Sequence, residues 1–543
     1  MRRPALASLA LVLVYLALSL VLDPGGYLGT DTGAKVATLE AMDRSGSARP
    51  NVGYWAEEWD PRGVVHPLYQ SKRVDDGEWV AVTTLPMLEA ARPLYALGGY
   101  RLTLLLPMLG GLACALGARR LARQVGGEPG WNVFWVVGLG SPIALYSLDL
   151  WEHVVGVAAI VWAVSLLVDA AASPTPERAA VGAGALLGLA ATMRTEALVY
   201  TLVAVGVACV ARLVHDRRAW PAVRQGVGAV LGFAAMWGAN RALEEAVGGL
   251  SRTVRASDTA SATAEDAVGQ LGDRVQEALV TSFGVKGATT ASWLLGAGIL
   301  VVLALGWRSH RRGDRTMALT CVGLAGLVYL LGAISDLGFV PGMVPAFPVI
   351  AGLAIVRPSG AGRTVLWVAL SALPVVWAFQ YLGGAGPQWG GRYVLPSAVL
   401  LGTLALVGLE QHPDVRRALV GLAAGVTALG LVWVAVRTRS VDDLFDDLRA
   451  ANADVLIVRD AFLLREGGPV VLDEQWLTAS GEDQFALATE VAERAGASSV
   501  AVVELGAPAP PEASIPEGWE EVARSETDLT GDPIGVVVYR LPA

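Results

Sequence analysis

Four short stretches of the sequence place ionisable side chains at the ends of long apolar runs. The residues concerned are Asp31 and Lys35, Glu152 and His153, Arg194 and Glu196, and Trp389, Arg392 and Tyr393. A charged group beside a membrane is costly unless it is paired or functional. A carboxylate held there can act as a general base, and the planar fork of an arginine suits phosphate oxygens. These residue types therefore indicate proton transfer beside a phosphate group.

Two of the stretches also have a purely structural interpretation as helix starts. Asp31 can cap a short helix predicted from Ala34 to Met42, because Asp accepts backbone N–H bonds. Asp149 and Glu152 have the spacing of a capping box at the start of the next apolar run. Capping leaves His153 unexplained, and a single histidine is weak evidence for a metal.

The other two stretches can be explained by the membrane interface. Arg194 can extend to the interface, or it can attract an anion together with the dipole of the helix that begins at Glu196. The segment Gln388-Trp389-Gly390-Gly391-Arg392-Tyr393 can form an aromatic belt. Its two glycines add close backbone approach to a ligand, which a belt does not require.

Several common catalytic motifs do not occur in the chain. It has no CxxC pair, no HExxH, no Walker loop and no GxSxG. Metalloprotease, ATPase and α/β-hydrolase activities are therefore unsupported. Cys114, Cys209 and Cys321 fall inside apolar runs and predict no disulfide framework.

The composition identifies the elements that must position these residues. Of the 543 residues, 54% are hydrophobic and 17% charged, and the mean hydropathy is +0.49. This predicts an α-helical polytopic membrane protein with about 13 transmembrane helices. The predicted spans are 5–22, 99–117, 131–148, 153–171, 179–193, 197–211, 222–240, 291–307, 316–334, 338–356, 364–382, 393–410 and 418–436.

Orientation follows from the charges that flank the spans. With Arg2 and Arg3 inside, every short Arg-rich loop falls on the cytoplasmic side. This holds only if 179–211 is two short helices broken at Met193-Arg194-Thr195-Glu196, and only Arg437 and Arg439 depart from it. The first span is predicted to be a retained anchor because no signal-peptidase site follows it. With 3 Lys among 41 basic residues, the composition suggests a high-GC bacterial source and hence a bacterial plasma membrane.

Two long loops and the tail then lie outside the cytoplasm. The loops are 23–98 and 241–290. Residues 441–543 carry 21 acidic and 6 basic residues. The tail alternates β-type runs at Asp454–Val458, Ser499–Val503 and Ile534–Tyr539 with a helix near Gln484–Ala495. Residues 1–440 are thus predicted to form a transmembrane domain and 441–543 a small extracytoplasmic α/β domain. The pI of 5.3 argues against a nucleic-acid partner.

The tail has two interpretations. One is a solvated cap, which its acidity favours. The other is recognition of an acceptor glycan, with Trp476 and Trp519 as stacking groups.

In combination, the motifs resemble the bacterial GT-C superfamily of membrane glycosyltransferases. The likeness rests on Asp31, the stretch from Ser141-Pro142 to His153, the turn Arg194-Thr195-Glu196 and the segment 388–393, and it extends over roughly residues 1–436. The resemblance implies a polyprenyl-phosphate sugar donor and a glycan, lipid or protein acceptor. It also implies a catalytic role for Asp31 as base or acceptor-orienting group.

The same resemblance implies roles for the other residues. Arg194 and Arg392 would hold the lipid phosphate, and the pocket would be formed by Lys35, Glu152, His153, Glu196, Trp389 and Tyr393. Well-known members have an adjacent acidic pair after the first span, whereas Thr32 follows Asp31 here. We therefore assign no metal or other cofactor, although a divalent metal stays possible. Glu57, Asp60 and His66 are further candidates for a second carboxylate or base.

Two other functions remain open. A lipid or polysaccharide transporter predicts ionisable residues at mid-membrane and an inverted repeat. A non-catalytic scaffold predicts that Asp31 and Arg392 can be replaced without consequence.

Overall fold

The protein was analysed as a computed structural model, which describes residues 2–74, 77–126, 130–250, 270–284, 290–334, 341–379, 389–506 and 515–542. Its first half is helical. The helices are α1 (Arg2–Ser19), α2 (Thr30–Ser45), α3 (Leu85–Thr103), α4 (Leu105–Gln124), α5 (Trp131–Leu139), α6 (Ile143–Tyr146), α7 (His153–Ala172), α8 (Glu177–Met193), α9 (Glu196–Asp216) and α10 (Ala219–Val247). Strands β1 (Ser71–Arg73) and β2 (Trp79–Ala81) form an antiparallel pair between α2 and α3.

The second half contains further helices and then a sheet. The helices are α11 (Leu271–Phe283), α12 (Thr290–Arg311), α13 (Arg315–Ile334), α14 (Met343–Ala346), α15 (Ala361–Phe379), α16 (Leu395–Gly408), α17 (Pro413–Ala450) and α18 (Glu482–Arg494). The strands are β3 (Val455–Val458), β4 (Trp476–Thr478), β5 (Ser499–Leu505), β6 (Glu520–Leu529) and β7 (Asp532–Arg540). Short 3-10 turns include Pro348–Ala354, Arg392–Val394 and Leu463–Glu466.

Six of the described helices are long and apolar enough to cross a membrane. These are α4, α7, α9, α15, the stretch Arg392–Gln411 that contains α16, and α17. The expected class, a helical multi-pass membrane protein with a C-terminal α/β domain, is confirmed. The number of spans, thirteen, stays a prediction.

Some of the predicted spans are not single helices. The run 99–117 is divided between α3 and α4 at Leu104. The run 131–148 is divided into α5 and α6 at Gly140-Ser141-Pro142, and the described part of the run 338–356 contains the one-turn α14 and the 3-10 turn Pro348–Ala354. Prolines cause the last two interruptions, because proline has no N–H to donate and its ring clashes with the preceding turn. In contrast, the break inferred from charge parity is present: α8 ends at Met193 and α9 begins at Glu196.

The segment between α1 and α3 is folded and packs on the C-terminal domain. Ala37 of α2 and Trp79 of β2 share one apolar cluster with Phe445 of α17 and with Trp476 and Val503 of the sheet. The first outer loop and the tail therefore form one folded layer rather than two separate ones. Residues 251–269 and 285–289 of the second loop lie outside the described residues, and Leu271–Phe283 within the loop form α11.

The C-terminal domain contains a five-stranded sheet in the order β4-β3-β5-β7-β6. Strands β4, β3 and β5 are parallel, and β7 and β6 complete the sheet in antiparallel fashion. Helix α18 covers one face with Phe485, Ala488 and Val491, and the end of α17 covers the other. The three predicted strands and the helix are confirmed. Strand β4 has only 3 residues and β6 is mostly exposed and polar, so neither produced an apolar run.

The two tryptophans proposed as stacking groups are core residues. Trp476 is fully buried, and Trp519 is 8% exposed with its indole nitrogen bonded to Glu493. The hypothesis that they stack on an acceptor glycan is wrong, because neither ring is open to a ligand.

Candidate functional site

Asp31 lies at the centre of a cluster of arginines. It sits in the first turn of α2, whose N-cap is Gly29, and no side-chain capping bond is formed there. One carboxylate oxygen lies 3.3 Å from Arg465, and the other lies 3.9 Å from Arg194 and 3.8 Å from Arg392. The capping interpretation of Asp31 is therefore wrong. The carboxylate instead faces three guanidinium groups from three separate parts of the chain.

Arg194 occupies the break between α8 and α9. Its backbone is extended, and its side chain is 6% exposed. The guanidinium lies 3.1 Å from Glu152 and 3.0 Å from Glu196. A buried arginine with two carboxylate partners is held in one orientation. The interfacial interpretation of Arg194 does not fit this burial.

A second layer of buried charge lies one helical turn along α2. Lys35 follows Asp31 by four residues and so shares its helix face. The Lys35 ammonium group lies 2.5 Å from Glu152 and donates to the carbonyl of Leu150 at 3.2 Å. Glu152 thus bridges Lys35 and Arg194, and its position is determined by two cations.

The capping-box interpretation of Asp149 and Glu152 is also wrong. Helix α7 begins at His153 without a side-chain capping bond. Asp149 instead accepts from Thr32 at 2.7 Å and from Tyr100 at 2.8 Å. Burial raises the pKa of Asp149 to about 6, against the lowering effect of these hydrogen bonds.

The segment after residue 388 turns Arg392 towards Asp31. Gly390 and Gly391 have φ of 81° and 65°, in the left-handed region that favours glycine. A Cβ at Gly391 would meet the carbonyl oxygen of Thr281 at 2.4 Å, so α11 closes over this turn. Arg392 donates to the hydroxyl of Tyr393 at 2.8 Å and lies over its ring at 4.7 Å.

A narrow cleft opens beside these groups. It is lined by His153, Gly156, Val157, Ile160, Arg194, Glu196, Ala197, Arg392 and Pro396. Several buried polar atoms at this place have no partner among the described residues: both ring nitrogens of His153, Oε2 of Glu196, Nε of Arg392 and the hydroxyl of Tyr146. Buried polar atoms are normally satisfied, so these atoms can bond to water or to a polar ligand. The cleft has a volume of about 10 Å³, which is the space of one water molecule, so a larger ligand requires it to widen.

The remaining predicted pocket residues lie around the cleft rather than along it. Lys35 supports Glu152, as described above. Trp389 is 4% exposed and packs beside Trp433 and against Gly430 of α17. The ring of Tyr393 lies 5.6 Å from the guanidinium of Arg194 and 4.7 Å from that of Arg392, so it is close to both cleft arginines. Gln388 lies outside the described residues.

The candidates for a second base are used within the first loop. Asp60 accepts from Tyr54 and from the N–H of Val65. His66 bonds the carbonyl of Gly53 and the N–H of Leu68, and burial lowers its pKa to about 4. Glu57 forms a surface ion pair with Arg73. These contacts stabilise the loop, and none of them involves a cleft residue.

Two further observations concern a possible metal ion and the residues that the sequence did not identify. In the described ranges, no three His, Cys, Asp or Glu side chains converge to hold a metal ion. Arg465, which donates to Asp31 at 3.3 Å, was not identified from the sequence. It lies in the acidic tail, more than 400 residues from Asp31, and no local motif marks it.

The chain was compared with known proteins. Neither a protein-family model nor a curated protein matches the sequence. Among solved structures it is similar to an apo oligosaccharyltransferase from Archaeoglobus fulgidus, with 11% identity, a TM-score of 0.42, and coverage of 91% of this chain and 69% of that one. It is also similar to ArnT from Cupriavidus metallidurans bound to undecaprenyl phosphate, with 13% identity, a TM-score of 0.40, and coverage of 98% and 97%.

At TM-scores of 0.42 and 0.40 the similarity carries no argument about the reaction or the ligands of this chain. Its function has to be inferred from its own side chains.

Proposed function

We propose that the protein is a membrane glycosyltransferase that moves a sugar from a polyprenyl-phosphate donor to a cell-envelope glycan, lipid or protein acceptor. The proposal places the reaction at the outer face of a bacterial plasma membrane, with the N-terminus in the cytoplasm and residues 441–543 outside. The observation that carries it is the convergence of Asp31 with Arg194 and Arg392, within 4 Å, beside a cleft with unpartnered polar atoms.

The chemistry requires each of these groups. An acceptor hydroxyl attacks the anomeric carbon, the bond from that carbon to the phosphate oxygen breaks, and polyprenyl phosphate leaves. The hydroxyl proton passes to Asp31 as general base. Arg194 and Arg392 stabilise the charge that develops on the departing phosphate, since preorganised cations are most effective where charge appears.

The buried polar atoms that lack a partner among the described residues can bind the hydroxyl groups of the sugar. His153 and Glu196 offer ring nitrogens and a carboxylate oxygen to hydroxyl groups inside the cleft. Glu152, which is itself paired with Lys35, holds Arg194 in place. In this arrangement no metal ion is assigned a role.

The transporter alternative is less well supported. It requires ionisable residues at mid-membrane. Here Asp31 is in the first turn of α2, Glu152 precedes α7, and Arg194 lies between α8 and α9. Charges gathered at helix ends on one side favour a surface reaction over a path through the bilayer.

The test is donor consumption by the full-length protein in detergent, with a panel of polyprenyl-phosphate sugars. Wild type is expected to consume at least one donor and to release polyprenyl phosphate. Asp31→Asn and Arg392→Ala should lose this activity while retaining the elution profile and melting temperature of a folded protein. Arg494→Ala, which removes an exposed ion pair on α18, is the matched control. A folded wild type that neither binds nor consumes any donor would refute the proposal.

A further inference from the structure

The C-terminal domain contributes a side chain to the candidate site. Arg465 belongs to the 3-10 turn Leu463–Glu466, which follows β3, and it is 4% exposed. Its guanidinium donates to one carboxylate oxygen of Asp31 at 3.3 Å. We infer that Arg465 is a positioning residue that fixes the carboxylate of Asp31 for the transfer reaction. This inference rests on the proposed role of Asp31 as the base.

The two oxygens of Asp31 have different surroundings. Oδ1 accepts a hydrogen bond from Arg465, whereas Oδ2 faces Arg194 and Arg392 at 3.9 Å and 3.8 Å, beyond hydrogen-bond distance. Arg194 and Arg392 line the cleft, and Arg465 is not among its lining residues. Arg465 therefore contacts the carboxylate of Asp31 without lining the cleft, as expected of a residue that orients the base.

The backbone of Arg465 is held by contacts on both sides. A Cβ at Gly33 of α2 would lie 2.1 Å from the carbonyl oxygen of Arg465, so only glycine permits this approach. The next residue, Glu466, forms an ion pair with Arg437 of α17. A side chain whose backbone is fixed in this way can hold its partner within the narrow range of geometry that catalysis needs.

The pair Arg437–Glu466 also explains a feature of the sequence. Arg437 departs from the distribution of basic residues that was used to predict orientation. In the structure its side chain is 14% exposed and is paired with Glu466. Arg437 thus joins α17 to the turn that carries Arg465, a structural contact that loop charges alone do not predict.

The first experiment is steady-state kinetics on the full-length protein with a donor that wild type consumes. Arg465→Ala should lower kcat by at least about tenfold, because a displaced base reacts poorly, while the donor KM stays within about threefold. Arg465→Lys should restore part of the loss, since an ammonium group can still reach the carboxylate.

The matched control is Arg44→Ala. Arg44 is also on α2, and it pairs with Asp473 of the C-terminal domain at 2.8 Å on the surface. This variant breaks a contact between the same two segments without touching Asp31, so its kcat should equal that of wild type. A decrease of kcat in Arg44→Ala as large as in Arg465→Ala would overturn the inference, because loss of docking alone would then explain both.

The second experiment does not depend on turnover. The rate of carbodiimide labelling at Asp31 is followed by peptide mass spectrometry in wild type, Arg465→Ala and Arg44→Ala. Labelling should be several-fold faster only in Arg465→Ala, because an ion-paired, fixed carboxylate resists modification. Equal labelling in all three, or an Arg465→Ala variant that raises the donor KM alone, would overturn the positioning role. Absence of turnover in wild type would refute the proposed function, and labelling would still decide whether Arg465 fixes Asp31.

Discussion

Arg194 lies just before helix α9 and Arg212 lies within it near its C-terminal end, and each is only 6% exposed. Arg212 pairs with Asp216 and donates to the carbonyl oxygens of Ala170, Ala171 and Ser173, at 2.8 Å each. It therefore caps the C-terminal end of α7, where a cation is favoured by the helix dipole. In the described structure, neither Arg212 nor Asp216 has a buried side-chain atom without a partner.

Arg194 has equal burial and a different environment. It lies near three carboxylates, those of Asp31, Glu152 and Glu196. Beside it, His153, Glu196 and Arg392 retain buried polar atoms that lack partners in the described structure. A buried cation that is fully satisfied by main-chain carbonyls stabilises the fold. A buried cation among unsatisfied polar atoms is arranged for a ligand, and this difference separates the candidate site from ordinary buried charge.

The largest expected effect on turnover comes from replacing Asp31, the carboxylate beside Arg194, and it is compared with replacing Asp216, the carboxylate beside Arg212. Asp31→Asn should lower turnover by on the order of 100-fold to 10,000-fold, because a general base contributes a factor of that size. Asp216→Asn, which changes the partner of Arg212, should leave turnover within about twofold. Donor consumption per folded molecule measures both. Equal losses of turnover in Asp31→Asn and Asp216→Asn would show that the surroundings of Arg194 and Arg212 do not differ in function.

Replacing Arg194 should lower turnover, whereas replacing Arg212 should lower stability. Arg194→Gln should lower turnover by on the order of 100-fold, as expected for the loss of one preorganised group that stabilises developing charge. Arg212→Gln should leave turnover per folded molecule unchanged and lower the melting temperature, because it leaves three carbonyl oxygens without their donor. Turnover and thermal unfolding are measured on the same preparations. Normal turnover in Arg194→Gln would contradict a phosphate-binding role.

A smaller effect, on the donor KM, is expected from replacing His153, whose ring nitrogens have no partner among the described residues. His153→Phe keeps an aromatic ring beside Tyr146 and Trp151 and removes two unsatisfied nitrogens. Its stability should not fall, whereas the donor KM should rise by about tenfold, the equivalent of one hydrogen bond. Tyr200→Phe is the counterpart, because its hydroxyl is bonded to Ser397 at 2.8 Å. That variant should lose about 1 kcal/mol of stability with no change in KM.

The smallest effect is a pH dependence of stability at Asp149. Burial raises the pKa of Asp149 to about 6, above the value of about 4 for an Asp in an unfolded chain. Between these values Asp149 holds more protons in the folded state, so its contribution to the free energy of unfolding should decrease as pH rises from about 4 to about 6. His66, whose pKa is lowered to about 4, contributes in the opposite direction over the same interval. The measurement is therefore the difference between wild type and Asp149→Asn, and the free energy of unfolding should fall with pH in wild type relative to the variant. Curves of equal slope over this interval would contradict the assignment.

The sequence predicted the parts of the fold that depend on composition and local pattern. Apolar length located α7 and α9, charge parity located the break at Arg194, and β-type runs located β3, β5 and β7. Proline interruptions inside apolar runs were missed, as at Pro142, because hydropathy averages over them. Polar or very short strands such as β6 and β4 were missed because an edge position does not require an apolar run.

The site was predictable only in part. Asp31, Glu152, Arg194 and Arg392 stood out because each interrupts or borders an apolar run, where a charge needs a reason. Whether Asp149 and Glu152 cap a helix or pair with distant residues depends on tertiary contacts to Thr32, Tyr100 and Lys35. Arg465 was not predictable, because an arginine in a soluble domain carries no signal until the domain is placed against α2.

The most direct test of the central claim is binding of polyprenyl phosphate, without a sugar, to the full-length protein in nanodiscs. Saturable binding is predicted for wild type and for Arg212→Gln, because the cleft beside Arg194 is intact in both. Arg194→Gln should bind at least about tenfold more weakly, since a charge-assisted contact to the phosphate is lost. Equal affinity in all three folded proteins, or no binding by wild type, would contradict the claim that this cleft is a lipid-phosphate site.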